Sequence, residues 1–334
     1  MSKIFSALFV IFGLVVGSGF ASGKEIFVFF ARFGAISYLY IFLACVLFFC
    51  VFSLFLLKGK KISEVIEKSK VLSLILVLVS VIFCASMFAG LSSLFGYLFV
   101  WLRILCFVLV LFLTFLVALS GIGALKKMNL ILMPIVSMIF FIVLLFASRI
   151  SLGGENFVCS FFGVLYFPLY VALNTCGGVF VLAKLGEKFS KKQAVLCSLF
   201  SSILILLFLV LGNFVLQKNS SSFLSEMPFL FVVKENNFLF CLSFLVVLVG
   251  CFTTLISLCF SIKICFEKVL KNDFLSACFS VWVPFVLSLL GFSKIVSVVY
   301  PIASVLGIFV LLFSIFSLDK TDEEIHQKRQ NAQD

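Results

Sequence analysis

Charged side chains are scarce in this chain: Asp, Glu, Lys and Arg make up 12% of its 334 residues, while 64% are hydrophobic and the mean hydropathy is +1.34. That balance excludes a soluble globule and predicts an all-α polytopic membrane protein. Histidine occurs once, at His326 in a polar C-terminal stretch, which removes most zinc and histidine-base mechanisms. No G-x-x-x-x-G-K-[ST] run is present, so the chain brings no phosphate loop to drive pumping with ATP. Its 12 cysteines contain no C-x-x-C pair, which suits reduced thiols in apolar surroundings better than disulfides or a metal centre. With no intramembrane carboxylate pair and no Ser-His set, neither an enzyme nor an organic cofactor is expected.

What the chain has in quantity is apolar runs. At about 20 residues per crossing, they divide into ten expected spans, near 4–33 (interrupted), 35–57, 71–98, 101–122, 129–148, 158–183, 193–216, 237–265, 274–292 and 295–317. With both termini on the cytoplasmic side, that side collects 18 of the 25 Lys and Arg residues, the asymmetry expected of cytoplasmic loops. The net charge of +11 therefore reads as the topology of an inner-type membrane protein and not as a nucleic-acid footprint. The stretch 319–334 reads as a short solvated cytoplasmic tail to a single transmembrane domain covering 1–334.

Five spans fill 4–148 and five fill 158–317. Five is odd, so the halves enter the membrane in opposite senses, as inverted repeats do in transporters. The first span of each half carries helix-opposing residues near its middle. In the first half these are Gly17, Ser18, Gly19, Ala21, Ser22 and Gly23; in the second they are Pro168 and the run Asn174-Thr175-Cys176-Gly177-Gly178. The expectation is that helices 1 and 6 are both broken. Bare peptide groups persist at membrane depth only against protein, water, an ion or a solute. Other readings stay open: a signal peptide for the first stretch, and close packing through small residues for either.

The run Val16–Gly34, VGSGFASGKEIFVFFARFG, resembles the first helix of the YkvI-like family of bacterial membrane proteins, remote relatives of the amino acid-polyamine-organocation (LeuT-fold) transporters. Twelve positions follow the V-G-A-G-F-A-S-G-Q-E…F-F…F-G pattern; Ser18 and Lys24 depart from it. The resemblance implies ten helices in two inverted fives, and a secondary transporter working by alternating access. It also implies a sodium site between the broken first helix and helix 8. The matching oxygens here are the carbonyls of Gly13, Val16 and Gly250 and the hydroxyls of Thr253 and Thr254, all hard ligands suited to a small cation. Back-bonding to the helix is the alternative for the two threonines.

The expected solute is an amino acid or related amine, held against Ser18, Gly19, Ala21, Ser22 and Gly23 on one side and Asn174 on the other, with Phe167 and Tyr170 as aromatic walls. Lys24 and Glu25 form the sole ionisable pair near the midplane, read as a structural charge pair, with Glu25 as the proton carrier if protons replace sodium. A non-transporting assembly or sensor protein is the reading from another class. Oligomeric state is not legible in the sequence.

Overall fold

The structure is a computed structural model that describes residues 2–120, 123–153 and 161–330. Among the described residues every regular element is helical, and the chain is an all-α, multi-pass membrane protein whose apolar outer surface is suited to a lipid bilayer. Among the described residues six helices are long and apolar enough to cross a membrane, and of four shorter apolar helices one precedes them and three lie between them in the chain.

The first apolar run folds as three short helices, α1 (Ser2–Val15), α2 (Ser18–Ser22) and α3 (Lys24–Phe29), followed by a 3-10 segment Ala31–Ile36. A longer helix, α4 (Ser37–Leu57), comes next. The basic stretch after it folds as α5 (Gly59–Lys68), which buries Ile62 and Ile66, spaced one turn apart, beneath a polar face. Gly59 lets α5 approach the backbone of Ala183, because a Cβ there would stand 2.3 Å from that carbonyl oxygen. The first half closes with α6 (Lys70–Phe95), α7 (Val100–Ser120) and α8 (Gly123–Ala147).

The second half opens with α9 (Tyr166–Gly186), then α10 (Lys191–Lys218), the short α11 (Pro228–Val233) and α12 (Asn237–Leu270). It ends with α13 (Asp273–Ser288), a helical turn α14 (Phe292–Lys294), a π-helical segment Ile295–Val299 and α15 (Tyr300–Gln330). The backbone of the C-terminal stretch, expected as a free tail, continues α15 as far as Gln330.

Helices far apart in sequence pack on one another: α1 on α9, α4 on α10, α6 on α12 and α7 on α13. The α6–α12 seam runs through the buried thiols of Cys84 and Cys259, whose sulfurs are 3.2 Å apart. α2, five residues long and wholly buried, touches both of these central helices.

The expected break in the sixth apolar run is not found: α9 is one continuous helix from Tyr166 to Gly186. Pro168 falls in its first turn, where the missing N–H removes no bond the helix would have made. Asn174 turns its amide back to the Tyr170 carbonyl, 3.0 Å away, and so supports the helix it was expected to open. Gly177 and Gly178 serve packing. A Cβ on the first would meet the Phe83 ring at 3.0 Å, and one on the second would meet a Leu14 methyl at 2.5 Å.

Candidate functional site

The first helix opens where its residues provide for the opening. Gly17 is extended, with φ −102° and ψ −162°, and its N–H turns to the Val15 carbonyl instead of that of Gly13. Six residues on, Gly23 adopts φ +85°, a left-handed conformation that any Cβ would strain. Ser22 spans this second corner: its hydroxyl donates to the Gly19 carbonyl at 3.0 Å and accepts from the Lys24 N–H at 3.3 Å. Side-chain oxygens thus replace part of the hydrogen bonding that the helix gives up, as lipid would not.

Ser18 faces α6, where its hydroxyl lies 3.2 Å from that of Ser86. Gly90, one turn beyond Ser86 on α6, is bare for the same reason, since a Cβ there would stand 3.0 Å from the Ser18 side chain. Gly19 faces inward on the carboxyl of Glu25, and a Cβ at Gly19 would lie 2.5 Å from Glu25 Oε2. Ala21 is buried in the same core.

Lys24 and Glu25 do not form the expected pair. Consecutive helical residues point about 100° apart, and each side chain finds a different partner. The Lys24 ammonium donates to the carbonyls of Phe223 and Ser225, both at 3.0 Å, in the connection between α10 and α11. The Phe27 ring stacks on Phe223 beside it, 4.3 Å between centroids. Glu25 points inward, 2% exposed, and its Oε1 accepts from Asn174 Nδ2 of α9 at 3.2 Å. The Asn174 amide group therefore has two oxygen acceptors, Glu25 and Tyr170, which fixes its orientation.

Two buried tyrosines belong to the same core. Tyr170 is fully buried with its ring against Phe29, Phe30 and Phe48, at 5.3, 4.9 and 5.8 Å. Tyr300 opens α15 and packs on Phe83 at 5.1 Å. The Tyr170 hydroxyl has no hydrogen-bond partner among the described residues, while the Tyr300 hydroxyl is within reach of Ser86. Phe167, expected as a wall beside Tyr170, is half-buried one turn earlier on α9 and packs against the core. Ser86 and Tyr300 are the site residues that sequence reasoning missed. A small-residue run, Ala85 to Gly90 interrupted by Met87 and Phe88, marks α6 as a close-packing helix; nothing local marks Tyr300.

The expected cation ligands lie nearby, on α1 and α12. Val16 is buried, and Gly13 presents bare backbone to the Met133 side chain of α8. Because Gly17 donates elsewhere, the Gly13 carbonyl is released from its helical partner. On α12 the two threonines differ. Thr253 donates to the Val249 carbonyl at 2.8 Å and lies 3.3 Å from that of Gly250, so its hydroxyl is engaged by its own helix. Thr254 keeps a buried hydroxyl with no partner among the described residues. Gly250 is buried, yet a Cβ there would meet nothing within 4 Å, so there is space beside it on the face one turn from Thr254. Among the described residues no group of three or more His, Cys, Asp or Glu side chains converges on a metal position.

A scan of protein-family models finds none that matches this chain, and no curated protein matches it in sequence.

Proposed function

We propose that the chain is a secondary-active transporter that moves a small solute, an amino acid or related amine, across a bacterial inner membrane by alternating access. The observation that carries the reading is the first helix. It is opened at Gly17 and Gly23 in the buried centre of the molecule, and it holds a buried carboxyl, Glu25, against α9 of the other half. An intramembrane carboxylate is expensive and is retained where it has work to do. In this reading the six long and four shorter apolar helices make ten crossings, with both termini cytoplasmic. The halves are inverted repeats related by a two-fold axis in the membrane plane. Such an axis brings corresponding elements near it into contact, and the pairings of α1 with α9, α4 with α10, α6 with α12 and α7 with α13 fit that rule. Membership of the YkvI-like family, on the Val16–Gly34 motif, belongs to the same proposal.

The coupling ion in the first reading is sodium, held by carbonyls of Gly13, Val16 and Gly250 and chiefly by the Thr254 hydroxyl. One observation favours a second reading with a proton instead: the only hydrogen-bond donor on Glu25 among the described side chains is a neutral amide. Purified protein in proteoliposomes decides between them. Accumulation of amino acids or amines driven by an inward sodium gradient at equal pH supports the first reading; accumulation driven by a pH gradient without sodium supports the second. A protein that moves no member of a broad solute panel under either gradient is not a secondary transporter of this kind.

A further inference from the structure

We infer that the end of the bundle formed by α5, the last turn of α9 and the first turn of α10 is a binding surface for the headgroup of an anionic phospholipid. The surface concerns the bilayer around the protein and holds whether or not the chain moves a solute.

The fold brings these three elements to one place. Gly59 opens α5 against the Ala183 carbonyl of α9, and a Cβ on Gly186 would stand 2.5 Å from the Leu56 carbonyl oxygen, so α9 ends against the end of α4. The Ser63 hydroxyl of α5 donates to Glu187 Oε1, 3.4 Å away and one residue past α9. α10 packs on α4 and runs antiparallel to it. Asn213 and Gln217, near the end of α10, donate to the Ser37 hydroxyl that opens α4, at 2.9 and 2.8 Å. Counting the length of α4 back along α10 from Asn213 reaches its first turn, which therefore lies level with the end of α4 and the start of α5.

Lys60, Lys184, Lys188, Lys191 and Lys192 are all exposed at this end, and none has an ion pair or hydrogen bond with another described residue. The exposed carboxylates among the described side chains of these elements are Glu64 and Glu187, and Glu187 already accepts from Ser63. The bias of basic residues toward one side of a membrane accounts for scattered loop lysines. It does not by itself place four of them within the nine residues from Lys184 to Lys192, and a basic cluster of that density directly beside a membrane helix attracts anionic headgroups. What selects a lipid over a soluble anion is the neighbouring surface. Lys184 shares a helix face with Val181, Lys191 with Val195 and Lys192 with Leu196, and all three apolar side chains are exposed. Each ammonium thus stands at the polar end of an apolar strip. An anionic phospholipid meets both parts, with acyl chains along the strip and phosphate oxygens against ammonium groups that reach out of the hydrocarbon. A soluble phosphate meets only the second, and a zwitterionic lipid carries its own cation beside its phosphate.

The test measures thermal stabilisation of purified full-length protein in detergent on adding dioleoylphosphatidylglycerol, dioleoylphosphatidylcholine or glycerol 3-phosphate at equal concentrations. Phosphatidylglycerol should raise the melting temperature well beyond the other two, and the rise should shrink at high salt. The variant carrying Lys184→Gln, Lys188→Gln, Lys191→Gln and Lys192→Gln together should need at least about tenfold more phosphatidylglycerol for half the rise. Arginine at the same four positions keeps the charge and should keep the wild-type response. Lys294→Gln is the control: Lys294 is exposed two residues from Phe292, which packs beside Gly90 at the end of α6 remote from α5, and this variant should respond as the wild type does. Should the fourfold glutamine variant fail to fold, the two pairs, on α9 with its following turn and on α10, carry the test separately. The inference is overturned if phosphatidylcholine stabilises as well as phosphatidylglycerol or if glycerol 3-phosphate alone reproduces the rise. It is equally overturned if the glutamine variants respond as the wild type does, or if Lys294→Gln loses as much as they do.

Discussion

The first helix and α9 carry the same kind of residues at their middles, Gly, Ser, Thr and Asn among apolar neighbours, yet one is opened twice and the other is unbroken. The difference lies in what the small residues are used for. Around Gly17–Gly23, side-chain and backbone oxygens are arranged to receive the freed N–H groups, and Gly23 turns the chain through a conformation other residues avoid. On α9 the glycines admit Phe83 and Leu14 from neighbouring helices, and the Asn174 amide bonds its own helix as well as Glu25. In a medium without water a helix opens only where partners have been supplied for its peptide groups. The capacity of glycine to leave the helix is necessary for that and does not suffice.

The largest effect that would sharpen this comparison is at Gly19. Gly19→Leu should abolish solute accumulation in proteoliposomes while the protein still reaches the membrane and purifies as a folded species, because the new side chain must displace the Glu25 carboxyl. Normal transport by this variant would reduce the opened segment to a packing device. A smaller effect is expected at the corner. Gly23→Ala forces a Cβ into left-handed backbone and within 3.0 Å of the Phe229 ring, costing about 1–2 kcal/mol in the backbone alone, read as a lowered melting temperature. Gly177→Ala on α9 needs only the Phe83 ring to shift by tenths of an ångström and should cost less. Equal losses at the two positions would erase the distinction between an opened and a packed glycine.

Much of this is legible in the residues alone. Apolar length and scarce charge suffice for an all-α membrane protein, and the Gly-Ser density between Gly17 and Gly23 suffices for the broken first helix. Asn174 stands out in the sequence as a polar residue in an apolar run, but not as a helical one, because its amide serves both a neighbour and its own helix and the sequence cannot apportion it. The separation of Lys24 from Glu25 is also hidden there. It depends on the α10–α11 connection bringing the Phe223 and Ser225 carbonyls to Lys24, some 200 residues along the chain. Tyr300 reaches Phe83 of α6 through a long-range contact of the same sort, and no local pattern announces it.

The two threonines of α12 repeat the comparison on a smaller scale, since one hydroxyl is engaged by its helix and the other is not. If sodium binds beside Gly13 and Val16, Thr254→Val should lower apparent sodium affinity in uptake at least about tenfold, equivalent to roughly 1.4 kcal/mol. Thr253→Val should leave it nearly unchanged. The reverse ranking, or sodium-independent uptake that survives Thr254→Val, removes the sodium site and moves the coupling to Glu25.

The smallest expected effect is at Pro168, and its smallness is informative. If α9 were opened at its middle like the first helix, a proline at its start would mark a segment poised to unwind, and replacing it would let helix spread and alter transport. As α9 stands, Pro168 is in the first turn, where no i−4 carbonyl awaits its nitrogen and its fixed φ already suits the helix. Pro168→Ala should therefore forfeit only the stiffness proline gives the unfolded chain, a loss below about 1 kcal/mol, with uptake rates close to wild type. A transport defect in Pro168→Ala at unchanged melting temperature would show that α9 opens during the cycle. The contrast between the two helices would then describe one state of the protein and not a fixed difference in their construction.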